Sequence, residues 1–363
     1  MKIRLVKSDG QSNVRLNKYF KFFTENNIQF DFIGWQREKE NHSPFKDNFI
    51  PLITGGGYGG KKLIFYYLLW IMKLFLYHIF LKDLSKYKFI VINFDSGFVL
   101  YLISLIRKVD FIYEIRDDFS LSYNFPKWIK VIIDYLDNKI KSQSSNIIHV
   151  DENRVLSSDK RVIIIENSPF DFFKGKEFDK ELKHCFAITG NISEIRGAHS
   201  ILKFARKNKH VDFILAGKFY DSYLKSSFLS LGNVTYYDYM PQDKLFNLLS
   251  SCCGIFSIYD PILEINKKAA SNKLYDAMML SIPVITNIEV INSKVVIDNV
   301  SGYIVDYEFN NTWDFLASKE FINDALCKGK NGRKLYEEKY EFNKLLKTQL
   351  LPILQNETNY TRS

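Results

Sequence analysis

The chain has 363 residues, of which 46% are hydrophobic and 25% charged. This is the composition of a globular protein with about two domains. A formal charge of +9 favours anionic partners such as nucleotide phosphates or an anionic membrane. Nucleic acid is not expected, because no dense block of Lys and Arg with interleaved aromatic residues occurs.

The cysteines and the N-terminus favour a cytoplasmic protein. Four cysteines form no C-x-x-C pair, and Cys252 and Cys253 adjoin an apolar strand, as core residues do. The first residues look like the start of a strand and lack the apolar core of a signal peptide. There is no D-x-D sequence, and the six histidines are scattered, so we expect no metal site.

The chain opens with a βαβ pattern. Residues 2–7 and 28–34 are expected to form strands around a helix at residues 14–26. This pattern is typical of a parallel, doubly wound sheet, whose ligands bind beyond the carboxyl ends of the strands. Gly10 and Ser12 lie at such an end, where they fit either a ligand-binding backbone or a plain connecting turn.

Residues 55–62 fit the beginning of a phosphate-binding P-loop. The pattern G-x-x-x-x-G-K starts at Gly55, but Lys62 stands where Ser or Thr should hold Mg²⁺. An apolar strand ending at Asp95 supplies the acidic residue that such sites use. A glycine-rich loop without a ligand is the simpler interpretation, and a P-loop nucleotide-binding protein stays open as an alternative.

Residues 63–81 form the most apolar segment, interrupted only by Lys73 and His78. The segment is near the minimum length for crossing a bilayer, but a lysine in its middle argues against a spanning helix. We expect either a buried helix or a helix that faces a membrane surface through Tyr66, Tyr67 and Trp70.

Charged residues follow a strand expected at residues 111–115. Arg116 and Asp117 lie at its carboxyl end, where this architecture places active-site residues, although a surface turn fits equally well. Residues 169–183 are polar without clear periodicity and predict an interdomain linker. The expected domains are therefore residues 1–168 and 169–340, with a C-terminal helix of about residues 341–363 packing back on the first.

A second αβ series begins with a strand at residues 185–189, a loop at 190–197 and a helix at 198–207. Gly190 lets the backbone approach a ligand, and Arg196 precedes the helix, where its planar guanidinium suits a phosphate. With Lys273 at the end of a later strand of the same sheet, Arg196 would form a two-cation clamp for a pyrophosphate.

The most informative segment is residues 271–286. Ser271 and Asn272 open a short helix, and Pro283 precedes an apolar strand. Ser271 is expected to cap the free backbone N–H groups, which makes the helix start an anion site. Lys273 and Asp276 share one face, as a ligand with phosphates and hydroxyls requires. An ordinary αβ unit with solvated charges is the alternative.

Residues 185–286 resemble the second domain of GT-B glycosyltransferases, in particular the family 4-like, or group 1, enzymes that build bacterial surface polysaccharides. The similar features are a glycine loop ending in Arg-Gly, a strand ending in glycine, and a Lys-x-x-acid helix before Pro-Val-Ile. They are carried by Gly190, Arg196, Gly197, Gly217, Lys273, Asp276 and residues 283–285. The first domain is similar in architecture only, and it has Arg116-Asp117 where many members have His-Asp.

The resemblance implies an α/β fold of two Rossmann-like doubly wound domains facing a cleft. It implies that Arg196 and Lys273 hold and stabilise the leaving diphosphate, and that Asp276 binds the ribose. Glu264 would substitute for an acid that Lys268 replaces. The other donor-site residues would be Gly190, Asn191, Gly197, Gly217, Ser271 and Asn272. On the acceptor side we expect Gly10, Ser12, Arg116 and the carboxylate of Asp117.

The expected function is therefore transfer of a sugar from a nucleotide sugar, with UDP-sugar favoured, to a hydroxyl of a lipid-linked or polysaccharide acceptor in capsule or O-antigen synthesis. The resemblance implies retention of configuration. No cofactor is expected. A related GT-B nucleotide-sugar epimerase is a further alternative, and contact with the inner face of the plasma membrane is left open.

Overall fold

The structure, a computed structural model, is described for most of the chain. The described residues are 2–10, 13–37, 45–57, 62–122, 125–155, 158–175, 181–238, 240–269 and 271–355. The chain divides into two compact units: unit 1 comprises Met1–Ile165 and Leu346–Ser363, and unit 2 comprises Glu166–Leu345.

Unit 1 contains a seven-stranded parallel sheet in the order β3-β2-β1-β4-β5-β6-β7. Its strands are β1 Lys2–Lys7, β2 Phe30–Gln36, β3 Phe49–Thr54, β4 Tyr87–Ile92, β5 Phe111–Ile115, β6 Asn146–His149 and β7 Val162–Ile164. The first helices are α1 Val14–Glu25, α2 Leu63–Ile79, α3 Asn93–Ser104, α4 Phe119–Ser122 and α5 Lys127–Gln143. The strand order reverses between β1 and β4, so the residues that follow these two strands lie at the switch point.

Unit 2 contains a six-stranded parallel sheet in the order β10-β9-β8-β11-β12-β13. Its strands are β8 Lys183–Ile192, β9 Asp212–Phe219, β10 Val234–Tyr237, β11 Cys252–Ser257, β12 Val284–Asn287 and β13 Gly302–Val305. Its helices are α6 Ala198–Lys207, α7 Ser222–Leu229, α8 Gln242–Leu249, α9 Glu264–Lys267, α10 Asn272–Met279, α11 Ser293–Asp298, α12 Phe321–Leu335 and α13 Phe342–Leu345. The switch point lies between β8 and β11.

The end of the described chain returns to unit 1. A π-helical turn, Leu346–Leu350, leads into helix α14, Leu351–Gln355. The Lys88 ammonium, at the start of β4, donates a 2.7 Å hydrogen bond to the carbonyl of Ile353. Of the C-terminal helix expected at about residues 341–363, residues 356–363 lie outside the described part.

The prediction of two doubly wound parallel sheets is confirmed. One boundary was wrong, because β8 continues to Ile192 instead of ending at Thr189. The extra residues pair with the end of β9, where Gly190 lies opposite Gly217. Cys252 and Cys253 are buried in β11, as expected of core residues.

Helix α2 forms where the apolar segment predicts it, but with a different face outward. Trp70 is completely buried, so the alternative in which it faces a membrane surface was wrong for this residue. Tyr66 stacks on the buried Trp35 with ring centroids 5.7 Å apart, and Tyr67 meets the same indole edge-on. Within the described residues, no helix combines the length and apolarity needed to cross a bilayer.

Candidate functional site

The turn after β8 presents Arg196 and requires glycine at its end. Residues Glu194–Arg196 form a 3₁₀ turn, and Gly197 then begins α6 with a φ of +69°. A Cβ added to Gly197 would lie 2.3 Å from Cγ2 of Ile258, the first residue after β11. The left-handed backbone and the close approach of Ile258 therefore both exclude a side chain here.

Gly217 is needed for a second close approach. A Cβ on Gly217 would lie 1.9 Å from the carbonyl oxygen of Gly190 on the neighbouring strand. At Gly190 itself φ is +79°, but a Cβ would meet no atom within 4 Å, so its open side is accessible to a ligand. The carboxyl ends of β8 and β9 thus bring bare backbone to the switch-point edge of unit 2.

Ser271 precedes α10 in the N-cap position but does not cap it, so the capping expectation was wrong. Its side chain makes no capping hydrogen bond. The hydroxyl lies instead 2.7 Å from the hydroxyl of Ser257 at the end of β11. Asn272, the first residue of the helix, accepts a hydrogen bond from the side chain of Asn167 at the start of unit 2. The serine hydroxyl therefore leaves the N–H groups of the first turn uncapped, which suits an anion.

Arg196 and Lys273 line one small pocket together with Thr189, Asn191 and six apolar side chains from β8, β11, helix α6 and the residue after β11. This places both predicted cations at the carboxyl end of β8. The Arg196 guanidinium lies over the Tyr259 ring at 4.2 Å from its centroid. Tyr259 is held through its backbone, whose N–H donates to Asn287 Oδ1 at 3.0 Å.

The pKa values show that this pocket is rich in positive charge. Burial lowers the pKa of the Lys273 ammonium; Arg196 lowers it further, against the opposing influence of Tyr259 and Asp276. Burial alone would raise the pKa of the Tyr259 phenol, but Lys273, Arg196 and the hydroxyls of Ser271 and Ser257 bring it below its ordinary value. Within the described residues, neither Arg196 nor Lys273 forms an ion pair with a carboxylate. An anionic ligand would relieve the repulsion between the two cations.

Asp276 lies one turn after Lys273 on α10 and is partly buried, with its charge felt by Lys273 and by Tyr336. Glu264 is exposed and pairs with Lys267 of its own helix at 2.7 Å. Asn191 is exposed at the end of β8 and accepts a 3.4 Å hydrogen bond from the Tyr220 hydroxyl. Of these three side chains, Asn191 lines the pocket with the two cations.

In unit 1 a polar network occupies the carboxyl end of β1. The Asp9 carboxylate accepts hydrogen bonds from the backbone N–H of Gly10 at 2.9 Å and from Asn13 Nδ2 at 3.1 Å, and it pairs with Lys7. Burial alone would raise the pKa of Asp9, but Lys7 and these donors bring it below its ordinary value. Gly10 is buried within this network. Ser12 lies outside the described residues.

Arg116 belongs to a buried chain of charges. Its Nε donates to Glu114 Oε1 at 2.9 Å, and its Nη1 donates to Asn13 Oδ1 at 3.0 Å. Glu114 is completely buried and also accepts from Arg15 Nε at 2.7 Å. Burial alone would raise the pKa of Glu114, but the two arginines bring it below its ordinary value. Arg116 thus joins the ends of β1 and β5.

Two aspartates near this network differ in their surroundings. The side chain of Asp117 is 60% exposed and lies 3.9 Å from Arg154 Nη1. Asp95, in the first turn of α3, is 5% exposed, and its Oδ2 has no partner among the described residues. Burial raises the pKa of Asp95, although the hydroxyl of Ser8 and the charge of Lys7 partly offset this. Asp95 therefore has a free acceptor oxygen at the switch point of unit 1.

The P-loop alternative receives no support from the geometry. Gly55 follows β3, an edge strand, whereas Asp95 follows β4, and β2 and β1 lie between the two. Three strand spacings amount to about 14 Å, too far for one Mg²⁺ to reach both ends. Residues 58–61, which include the P-loop lysine, lie outside the described residues.

Several residues of these clusters were missed by the sequence reasoning. Ser257 is the last residue of the apolar strand β11, and Tyr259 follows two residues later. Neither belongs to a sequence motif that would indicate a site. Glu114 gave a usable signal, because a carboxylate inside the apolar strand sequence Phe-Ile-Tyr-Glu-Ile must be paired when it is buried. Across the described ranges, no three His, Cys, Asp or Glu side chains cluster as a metal site would require.

The two parallel sheets define the class of fold, which is that of the GT-B glycosyltransferases. No protein-family model matches the sequence, and no curated protein matches it. Sucrose-phosphate synthase from Thermosynechococcus elongatus is similar at a TM-score of 0.69 and 13% identity, over 95% of this chain and 96% of that chain.

Two further solved structures have the same fold. HepE from Anabaena, in complex with UDP and glucose, has a TM-score of 0.69 at 11% identity, over 98% of this chain and 100% of that chain. WaaG, a glycosyltransferase involved in lipopolysaccharide biosynthesis, has a TM-score of 0.61 at 10% identity, over 95% of this chain and 97% of that chain. At these identities the similarity defines the fold.

Proposed function

We propose that the protein is a glycosyltransferase that uses a nucleotide sugar, with UDP-sugar as the favoured donor. The observation that carries the proposal is the pair Arg196 and Lys273, which share one pocket at the carboxyl end of β8 without a carboxylate partner among the described residues. The fold adds support, because HepE, which has it, was crystallised with UDP and glucose.

In the proposed reaction, unit 2 binds the donor. Arg196, Lys273 and the uncapped start of α10 at Ser271 and Asn272 stabilise the negative charge that develops on the leaving diphosphate. Asp276 accepts hydrogen bonds from the ribose, and Gly190, Asn191, Gly197 and Gly217 shape the backbone edge. Glu264 remains a candidate for a further hydroxyl contact. The two cations supply the charge that a divalent metal would otherwise provide, so the proposed reaction uses no resident metal.

The acceptor contacts are assigned to unit 1. Gly10, Ser12 and Arg116 are proposed to shape the acceptor site, with Asp117 as its exposed carboxylate. Asp95 joins them, because its Oδ2 is free to accept a hydrogen bond from a hydroxyl. The proposed acceptor is a lipid-linked or polysaccharide hydroxyl of capsule or O-antigen synthesis, with retention of configuration; WaaG, of the same fold, is involved in lipopolysaccharide biosynthesis.

UDP binding measured by titration calorimetry tests the donor site. Losing a charge-assisted contact of about 1.5–3 kcal/mol should weaken UDP binding by about 10- to 150-fold in Lys273→Met and in Arg196→Met. The matched control is Lys209→Met, an exposed lysine that precedes β9 and so lies at the opposite edge of the same sheet. UDP binding that Lys273→Met leaves unchanged would contradict the proposal.

Product analysis separates transfer from epimerisation. A transferase releases free UDP from a UDP-sugar only when an acceptor is added, apart from slow hydrolysis. An epimerase that acts on nucleotide sugars changes the sugar without any acceptor. Conversion of the sugar with no acceptor present would therefore favour the epimerase alternative.

A further inference from the structure

Helix α5 carries an apolar stripe on its solvent side. Trp128, Val131, Ile132 and Tyr135 recur at positions i, i+3, i+4 and i+7, so they lie along one face of the helix. Their exposed fractions are 66%, 68%, 49% and 60%. The opposite face is buried through Ile133 and Ile140. An exposed stripe of this kind marks a surface that binds something apolar.

Helix α2 carries a second exposed apolar surface. Ile64, Phe65, Leu68, Met72 and Leu76 are 73%, 63%, 61%, 52% and 46% exposed. The helix has no acidic residue, and its one exposed charged side chain is that of Lys73. Together with the four residues of α5, these five residues are called the apolar face below.

Both helices lie on the same side of the sheet of unit 1. Helix α3 packs against α2 and also against α5. The crossovers through α2, α3 and α5 run in one direction across the sheet, and right-handed crossovers then place all three helices on one face. Each helix starts at the carboxyl edge of the sheet, so Ile64, Phe65 and Trp128 lie toward the edge that carries Asp9 and Arg116.

We propose that the apolar face docks unit 1 onto an anionic lipid bilayer. Trp and Tyr beside lysines, on a helix lying along the surface, are the chemistry of a membrane interface. Lys127, Lys130 and Lys139 of α5 provide positive charge, and the Lys139 ammonium lies 5.3 Å from the centroid of the Tyr135 ring.

The acidic residues of α5 do not cancel this charge. Asp137 is engaged by Lys141 at 2.6 Å and by the buried Tyr113 hydroxyl at 2.6 Å, which leaves Asp134 as the exposed carboxylate of the helix. The net charge of +9 has the same sign as this excess. The docking deepens the proposed function and rests on it in one respect: a lipid-linked acceptor would then reach the edge with Asp95 directly from the bilayer.

Vesicle sedimentation with the full chain tests the proposal. The probes are vesicles of phosphatidylcholine alone and of phosphatidylcholine with one third phosphatidylglycerol. The wild type should bind the anionic vesicles, and the triple variant Trp128→Ser, Val131→Ser, Tyr135→Ser should bind them at least about tenfold more weakly. The control is Tyr223→Ser, Leu229→Ser, Ile297→Ser, which removes exposed apolar side chains of unit 2 and should bind as the wild type does.

A second variant tests the role of charge. Lys127→Gln, Lys130→Gln, Lys139→Gln should lose most of the preference for anionic over neutral vesicles. UDP binding, measured on each preparation, should be unchanged in all variants, so failure of the docking surface is distinguishable from failure of the donor site. Absence of vesicle binding by the wild type, or binding that the triple serine variant leaves unchanged, overturns the proposal. A change from dimer to monomer in that variant, without vesicle binding by the wild type, would assign the face to a second copy of the chain.

Discussion

Replacing Gly197 with alanine tests how tightly the turn that presents Arg196 is packed. The added Cβ would lie 2.3 Å from Cγ2 and 2.5 Å from Cβ of Ile258, in a residue whose φ is +69°. The left-handed backbone costs an L residue about 1–2 kcal/mol, and forced overpacking costs about 1–3 kcal/mol more. Gly197→Ala should therefore lower the unfolding free energy of unit 2 by about 2–5 kcal/mol.

Gly175 provides the matched control for the backbone part. Its φ is +76°, but an added Cβ would meet no atom within 4 Å, so Gly175→Ala should cost only about 1–2 kcal/mol. Adding Ile258→Ala to Gly197→Ala removes Cγ2, the nearer of the two colliding atoms, but leaves the Cβ of residue 258 at 2.5 Å. This relieves part of the clash, so the double variant should be more stable than the sum of the two single changes by about 1 kcal/mol.

Hydrogen exchange of β8 and β11 peptides in increasing urea reports the stability of unit 2 separately from unit 1. Equal losses in Gly197→Ala and Gly175→Ala would refute the steric argument. Strict additivity of Gly197→Ala and Ile258→Ala would refute it independently.

Three further predictions concern buried charges. Burial lowers the pKa of His78 from 6.5 to about 4, so the unfolding free energy of unit 1 should fall by up to about 3 kcal/mol as pH falls through that interval. His78→Leu should flatten this loss in urea titrations. An unchanged pH profile would contradict the assignment. Burial raises the pKa of Asp95 above its ordinary value of 3.8, so the native state holds its proton more tightly and stability falls as pH rises. Asp95→Asn should therefore stabilise unit 1 near about pH 7 and have little effect near about pH 3, in the same titrations, and equal effects at both would argue against it. Asp171→Asn removes a buried partner of Arg333 and should lower the unfolding free energy of unit 2, measured by hydrogen exchange, by about 3 kcal/mol. Glu337→Gln changes a side chain that is 55% exposed and should lower it by less than about 1 kcal/mol. Equal losses in the two variants would contradict this.

Most of the fold was predictable because both units alternate apolar strands with helices. This alternation is the sequence pattern of a parallel sheet that helices cover on both faces. The end of β8 was not predictable in this way. Asn191 is polar and Gly190 is a weak strand residue, so the local sequence indicates a loop. They extend the strand because β9 runs alongside to Phe219 and because Gly217 allows the Gly190 carbonyl to approach.

Local rules were less reliable at the candidate site. A serine before a helix normally caps it, but at Ser271 the hydroxyl of Ser257 lies 2.7 Å away and competes for the same oxygen. That competitor comes from a strand 14 residues earlier, so no window around the helix start contains it. Helix α2 shows a similar limit: it is apolar on all sides, and periodicity alone does not tell which side is buried.

The charge arrangement differs between the two units, although both have the same αβ sequence pattern. In unit 1 the buried Arg15 and Arg116 both donate to the carboxylate of Glu114, which offsets one of their two positive charges. In unit 2 the cations Arg196 and Lys273 adjoin a phenol and backbone N–H groups, and the pKa of Lys273 is lowered by burial and by its neighbouring cation. Uncompensated charge of this kind opposes folding unless a ligand supplies the counter-charge. The charge of the unit 2 pocket therefore complements the diphosphate of the proposed donor, whereas the free Asp95 Oδ2 of unit 1 can accept a hydrogen bond from the hydroxyl of the proposed acceptor.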